Sequence, residues 1–188
     1  MDIDIDITKT PVETDRLILR AWRETDLEDL YEYASVEGVG EMAGWLPHAS
    51  IEVSRGVLEG FMAGKNVFAI TLRENGKVIG SLGLHNSWAN DDPQFADLKL
   101  KEIGYILAKP YWGKGLMTEA VRAVINFCFT NLGMDAVSCG HLVINGRSKR
   151  VIEKCGFKYV KTTEYYSKQM EKSLGGDAKY ILLKNSPF

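Results

Sequence analysis

Two glycines separated by one lysine, Gly113, Lys114 and Gly115, stand where a strand-like run gives way to a helix-like one. A tight glycine turn at a helix start brings unpaired backbone N–H groups together, and the helix dipole adds partial positive charge. That geometry suits an anion such as a phosphate. The same pair of glycines also serves any sharp turn, so spacing alone leaves both readings open. Glu102 is the second residue with chemical potential, because it interrupts the core-like run 101–108. A carboxylate there needs a partner or a wet cleft, as a base would have, unless it is only an exposed strand start. Glu41, Asp91, Asp92 and Asp97 fall in two loop-like stretches and would suit a cationic amine. Arg147, Lys149 and Arg150 form a local basic cluster that a solvated helix face also explains. His48, His85 and His141 lack ligand spacing, so no metal site is expected.

These residues need elements to hold them. In the run 101–108, Ile103, Tyr105 and Leu107 share one face of a strand, and Glu102, Gly104 and Ile106 the other. Pro110 ends the strand. After the glycine turn, Leu116, Ala120, Val121, Val124, Ile125, Cys128 and Leu132 repeat at helical spacing, and Gly133 stops the helix. Upstream, 16–21 reads as a strand. A helix capped by Thr25 with Glu28 and a second capped by Ser50 follow. Strands 67–72 and 77–84 meet at the Asn75-Gly76 turn. The polar run 85–97 is a long loop. Downstream come a strand at 135–142, a short helix at 145–155, and strands at 157–162 and 178–183. A turn around Gly175 and Gly176 joins those last two strands. The first ten residues read as a frayed end or an edge extension. This order predicts a mixed α/β fold, a central mixed sheet flanked by helices.

The chain has 188 residues with 45% apolar composition, enough for one full core, and a single domain over 1–188 is expected. A net charge of -2 argues against a broad nucleic-acid surface. Cys128, Cys139 and Cys155 show no CxxC spacing and read as buried free thiols of a reducing compartment. With no membrane-length apolar run and no signal-like start, a cytoplasmic location is expected. The glycine turn lacks GxGxxG and GxxxxGK[ST], which excludes dinucleotide-binding and ATPase readings.

The stretches EIGYILAKPYWGKGLMTEAV and NGRSKRVIEKCGFKYV resemble the GCN5-related N-acetyltransferase superfamily. TDRLILR, residues 14–20, is similar to the opening of its ribosomal-protein N-acetyltransferase branch. The resemblance implies acetyl-CoA as cofactor and a fourth and fifth strand that splay apart. It implies a pyrophosphate loop at Trp112, Gly115 and Met117, with backbone donors from Gly113, Lys114, Gly115, Met117 and Thr118. Ile106, Leu107 and Ala108 would supply N–H groups to the thioester carbonyl. Asn145 would bond the pantetheine arm, although it is also a good helix cap. Ile152 occupies the position where many relatives place a proton-donating tyrosine; the resemblance to the ribosomal-protein branch implies instead a serine three residues after the asparagine, Ser148, as donor. Glu102, from its charge in a core-like strand, is the candidate base.

The acceptor implied is a primary amine, first a protein or peptide N-terminus such as that of a ribosomal protein. A small amine (polyamine, amino acid or aminoglycoside) is the alternative, and a non-catalytic CoA-binding protein stands further off. Neither a membrane nor direct nucleic-acid binding is expected, and the chain would be a monomer or homodimer.

Overall fold

The computed structural model describes residues 3–185. Eight strands form one sheet in the order β1-β2-β3-β4-β5-β6-β8-β7. They are β1 Val12–Glu13, β2 Leu17–Arg20, β3 Val67–Leu72, β4 Val78–His85, β5 Leu100–Leu107, β6 Ala136–Leu142, β7 Lys158–Ser167 and β8 Lys172–Leu183. The helices are α1 Leu27–Ala34, α2 Ile51–Gly64, α3 Leu116–Thr130 and α4 Gly146–Lys154. All neighbouring strands run antiparallel except β5 and β6. A parallel pair needs a crossover, and α3 supplies it.

Two apolar layers sandwich the sheet. Ile103, Leu107, Leu82 and Leu84 pack beneath Leu116, Ala120, Val121 and Val124 of α3. On the opposite face Val67, Ala69, Val78 and Ala108 meet Leu30, Tyr33 and Leu58 of α1 and α2. The face assignments within β5 follow from the period of two. Among the described residues, no helix is long and apolar enough to cross a membrane.

Several local expectations change. Asp26, not Thr25, organises the start of α1, accepting from the Arg23 N–H at 2.8 Å and from both Arg20 amino groups. Ser50 does sit at the N-cap of α2, just before Ile51, but its side chain makes no capping bond. The hairpin turn falls at 168–171, not at Gly175 and Gly176, because the Thr- and Tyr-rich run of β7 continues to Ser167. The loop 86–99 folds a 3-10 turn, Trp88–Asp91, over Leu100, Ala136 and Ile181. All three cysteines are buried and free.

Candidate active site

The glycine turn is a backbone cradle. Gly113 and Gly115 have φ of 75° and 78°, a region that side-chain-bearing residues avoid, and no atom lies within 4 Å of a Cβ built on Gly113. Gly115 caps α3 without any side-chain bond. The N–H groups of Leu116, Met117 and Thr118 therefore start the helix without intrahelical acceptors. Met117 and Leu116 are buried in the core, which turns their backbones outward. Leu116 belongs with the donors named from sequence, though it was missed there. The Lys114 ammonium lies 5.5 Å from the Tyr111 ring. The cradle fits a pyrophosphate.

Beside it the sheet opens. β5 and β6 pair from Leu100 with Ala136 to Ile103 with Cys139, and then part. These are the fourth and fifth strands of the sequence reading, renumbered because the short β1 precedes them. The parting leaves one edge of β5 unpaired from Gly104 onward. The Ala108 N–H does not face this gap: it bonds the Ile79 carbonyl at 2.8 Å. Hydrogen-bonding direction alternates along an antiparallel pair, so Ile106 likewise points at β4. Ala108 and Ile106 are thus withdrawn as donors. Tyr105 and Leu107 turn their N–H groups into the gap instead. The Leu107 carbonyl on that edge is satisfied by the Trp112 indole N–H at 2.6 Å, and the Arg147 guanidinium stacks 4.2 Å from the Trp112 ring.

Across the gap, Asn145 starts α4. Its Oδ1 accepts the Ser148 N–H at 3.1 Å, which leaves its amide N–H groups for a ligand. Capping and ligand binding therefore use different atoms of one side chain. Ser148 Oγ lies 2.7 Å from the Tyr105 hydroxyl. Ile152, one turn further on, is wholly buried in the core. The turn, Tyr105, Leu107, Asn145, Arg147 and Ser148 line one cleft of about 350 Å³.

Glu102 stands on the other face of β5. It accepts weakly from the Trp88 N–H at 3.4 Å and lies beside Gly140, where a Cβ would sit 3.6 Å from its Oε1. Burial pushes its pKa up, against the Lys179 ammonium and the Trp88 N–H, while nearby Asp177 raises it further. Asp177 itself is bonded to Lys179 at 2.6 Å. His85 faces Glu102 directly across β4 and β5. Its ring lies over Gly83 and Gly104, and a Cβ on Gly83 would collide with it. Its pKa is lowered, first by desolvation of the ring against the sheet and then by Lys101.

Other residues named from sequence fare differently. Asp92 is tied to Lys161 at 2.6 Å, and Asp91 and Asp97 face solvent. Glu41 belongs to a 3-10 turn whose neighbours Met42 and Ala43 line the cleft. Tyr105 and His85 carried no functional signal beyond residue type, and Arg147 was read only as one of a local basic cluster. The register that places them is a tertiary property.

The family model for the acetyltransferase (GNAT) domain matches residues 16–158. An uncharacterized N-acetyltransferase of Bacillus subtilis (strain 168), YoaA, is 27% identical over 152 residues, covering 78% of this chain and 82% of its own. Among solved structures, the microcin C7 self-immunity acetyltransferase MccE, in complex with acetyl-CoA and AMP, is similar with a TM-score of 0.74 and 20% identity. The match covers 95% of this chain and 99% of that one. The ribosomal-protein-S5-alanine acetyltransferase from Vibrio fischeri is similar with a TM-score of 0.71 and 17% identity, over 95% and 100%.

Proposed function

This chain belongs to the acetyltransferase (GNAT) family and uses acetyl-CoA, and we propose that its acceptor is the N-terminal amine of a protein, such as a ribosomal protein. The observation that carries the reading is the position of Glu102 beside Gly140, on the face of β5 opposite Tyr105 and Ser148. Donor and acceptor then approach the opened strands from opposite sides.

Transfer needs an unprotonated amine, a polarised carbonyl and a hydrogen bond for the departing sulfur. Glu102, with its raised pKa, takes the ammonium proton through water. One N–H on this open edge of β5, from Tyr105 or Leu107, meets the carbonyl oxygen as charge develops on it. Ser148 offers its hydroxyl to the sulfur, and the glycine turn with Leu116, Met117 and Thr118 binds the pyrophosphate. Acidic Glu102 favours a cationic acceptor. The similarity of 14–20 to the ribosomal-protein branch, together with the shared fold of the Vibrio fischeri enzyme, supports a protein N-terminus. The expected location is the cytoplasm, where such an acceptor is made.

A matched panel of N-terminal peptides, polyamines, amino acids and aminoglycosides, assayed by CoA release, tests the acceptor. Peptides are expected to lead. A preference above about a hundredfold for a small amine, roughly 3 kcal/mol of transition-state discrimination, would overturn the peptide reading.

A further inference from the structure

We infer that Tyr105 is a positioning residue for Ser148, its hydroxyl holding the serine so that the Oγ proton points at the leaving sulfur. The inference rests on the role proposed for Ser148. Residue 148 is engaged at three atoms. Its N–H goes to Asn145 Oδ1 at 3.1 Å, its Oγ lies 2.7 Å from the Tyr105 hydroxyl, and its carbonyl oxygen lies 3.3 Å from the same hydroxyl. Asn145 fixes the serine from the cap of α4, and Tyr105 fixes it from the neighbouring strand.

Either hydroxyl can donate in the 2.7 Å bond, and the single phenol proton has two acceptors in reach, Oγ and the Ser148 carbonyl at 3.3 Å; we take it to go to Oγ, the nearer one. A phenol is a stronger acid than an aliphatic alcohol and therefore the better donor. With Tyr105 donating to Oγ, the serine keeps its own proton for the cleft that both residues line. Developing thiolate charge draws that proton toward sulfur and strengthens the bond behind it, as in any chain of hydroxyls. With the bond reversed, the serine proton would point away from the sulfur. Burial pushes the Tyr105 pKa well above its ordinary value, with Cys139 adding to the effect, so the phenol remains a donor and does not ionise.

The balance of the step is then complete. The C–N bond forms, the C–S bond breaks with its electron pair going to sulfur, and the proton released by the amine returns to the thiolate through solvent. Tyr105 thus supplies from β5 an aromatic hydroxyl that α4 lacks at Ile152. A tyrosine at 152 would not restore one, because Ile152 fills the core and a larger ring there overpacks it.

A double-mutant cycle tests this with acetyl-CoA and the best acceptor from the panel. Tyr105→Phe keeps the ring and removes only the hydroxyl. It is expected to lower kcat by about threefold to tenfold, at the low end of acid–base contributions, with KM for acetyl-CoA unchanged. Ser148→Ala is expected to lower kcat by about tenfold to a hundredfold, and Ser148→Thr to keep most of the rate. In the Ser148→Ala background, Tyr105→Phe should cost nothing further. Equal fractional losses in both backgrounds would overturn the inference, as would an unchanged kcat in Tyr105→Phe beside a slowed Ser148→Ala. An unchanged kcat in Ser148→Ala would remove the serine from the mechanism and the inference with it. A loss confined to Tm would show that Tyr105 only packs.

Discussion

Arg16 and Glu119 form an ion pair at 2.6 Å, and the same guanidinium donates to the Lys114 carbonyl at 3.0 Å. The residue just before β2 therefore holds the glycine turn from outside. Glu119 also accepts from the Thr14 hydroxyl and the Arg16 backbone N–H, so three groups converge on one carboxylate.

Arg16→Ala should weaken acetyl-CoA binding by about threefold to tenfold, the equivalent of roughly one hydrogen bond, and leave kcat at saturation unchanged. Stability should change little, because the guanidinium is half exposed. Burial alone would raise the Glu119 pKa, but the bonds from Thr14 and Arg16 bring it below 4.5. Such a carboxylate contributes stability above its unfolded pKa, and the contribution disappears as pH falls through the folded value. Titration calorimetry from pH 7 downward should show the Arg16→Ala and parent affinities converging only in that acid range. Identical affinities at pH 7 would assign Arg16 to the surface.

Gly115→Val places a β-branched residue at φ 78°. The strain should cost about 1–2 kcal/mol. The Tm should fall by a few degrees while the protein stays folded. The stabilisation by acetyl-CoA, which any ligand of the native state confers, should be mostly lost. A full thermal shift with acetyl-CoA in this variant would show that the turn is structural only.

Glu102→Gln should slow turnover and, at neutral pH, raise the melting temperature. The sign follows from linkage: a carboxylate whose folded pKa is raised binds more protons folded than unfolded. Stability therefore falls as pH climbs from the unfolded value of 4.5 through the folded one, and stays lower above it. The glutamine variant lacks that fall. Melting curves from pH 4 to 8 for both proteins check it. Parallel curves would mean that Glu102 is solvated like any surface carboxylate.

Trp112→Phe removes the indole donor to the Leu107 carbonyl at 2.6 Å and weakens the platform under Arg147. A loss of about 1–2 kcal/mol is expected for the orphaned carbonyl, and acetyl-CoA should bind more weakly because the β5 edge is no longer held open. Chemical denaturation and calorimetry read the two effects separately. Full retention of both would make the indole hydrogen bond redundant.

The sequence alone determined what depends on neighbours in the chain. The glycine turn, the apolar stripe of α3, the face alternation of Glu102 against Tyr105 and the cap at Asn145 are all readable within about ten residues. These are period and propensity effects, so local spacing suffices. The family likeness added Ser148 and the splayed strands. Tertiary structure decided what depends on register and crossing. Which β5 N–H groups face the gap turns on Ala108 bonding Ile79 across β4, and that one bond moves the donor to Tyr105 or Leu107. Tyr105 reaches Ser148, 43 positions away, only because α3 returns the chain parallel to β5 and the two strands part after Ile103. His85 meets Glu102, and Gly140 opens beside it, through pairings that no local pattern encodes. Side-chain direction is local, but side-chain company is set by the sheet.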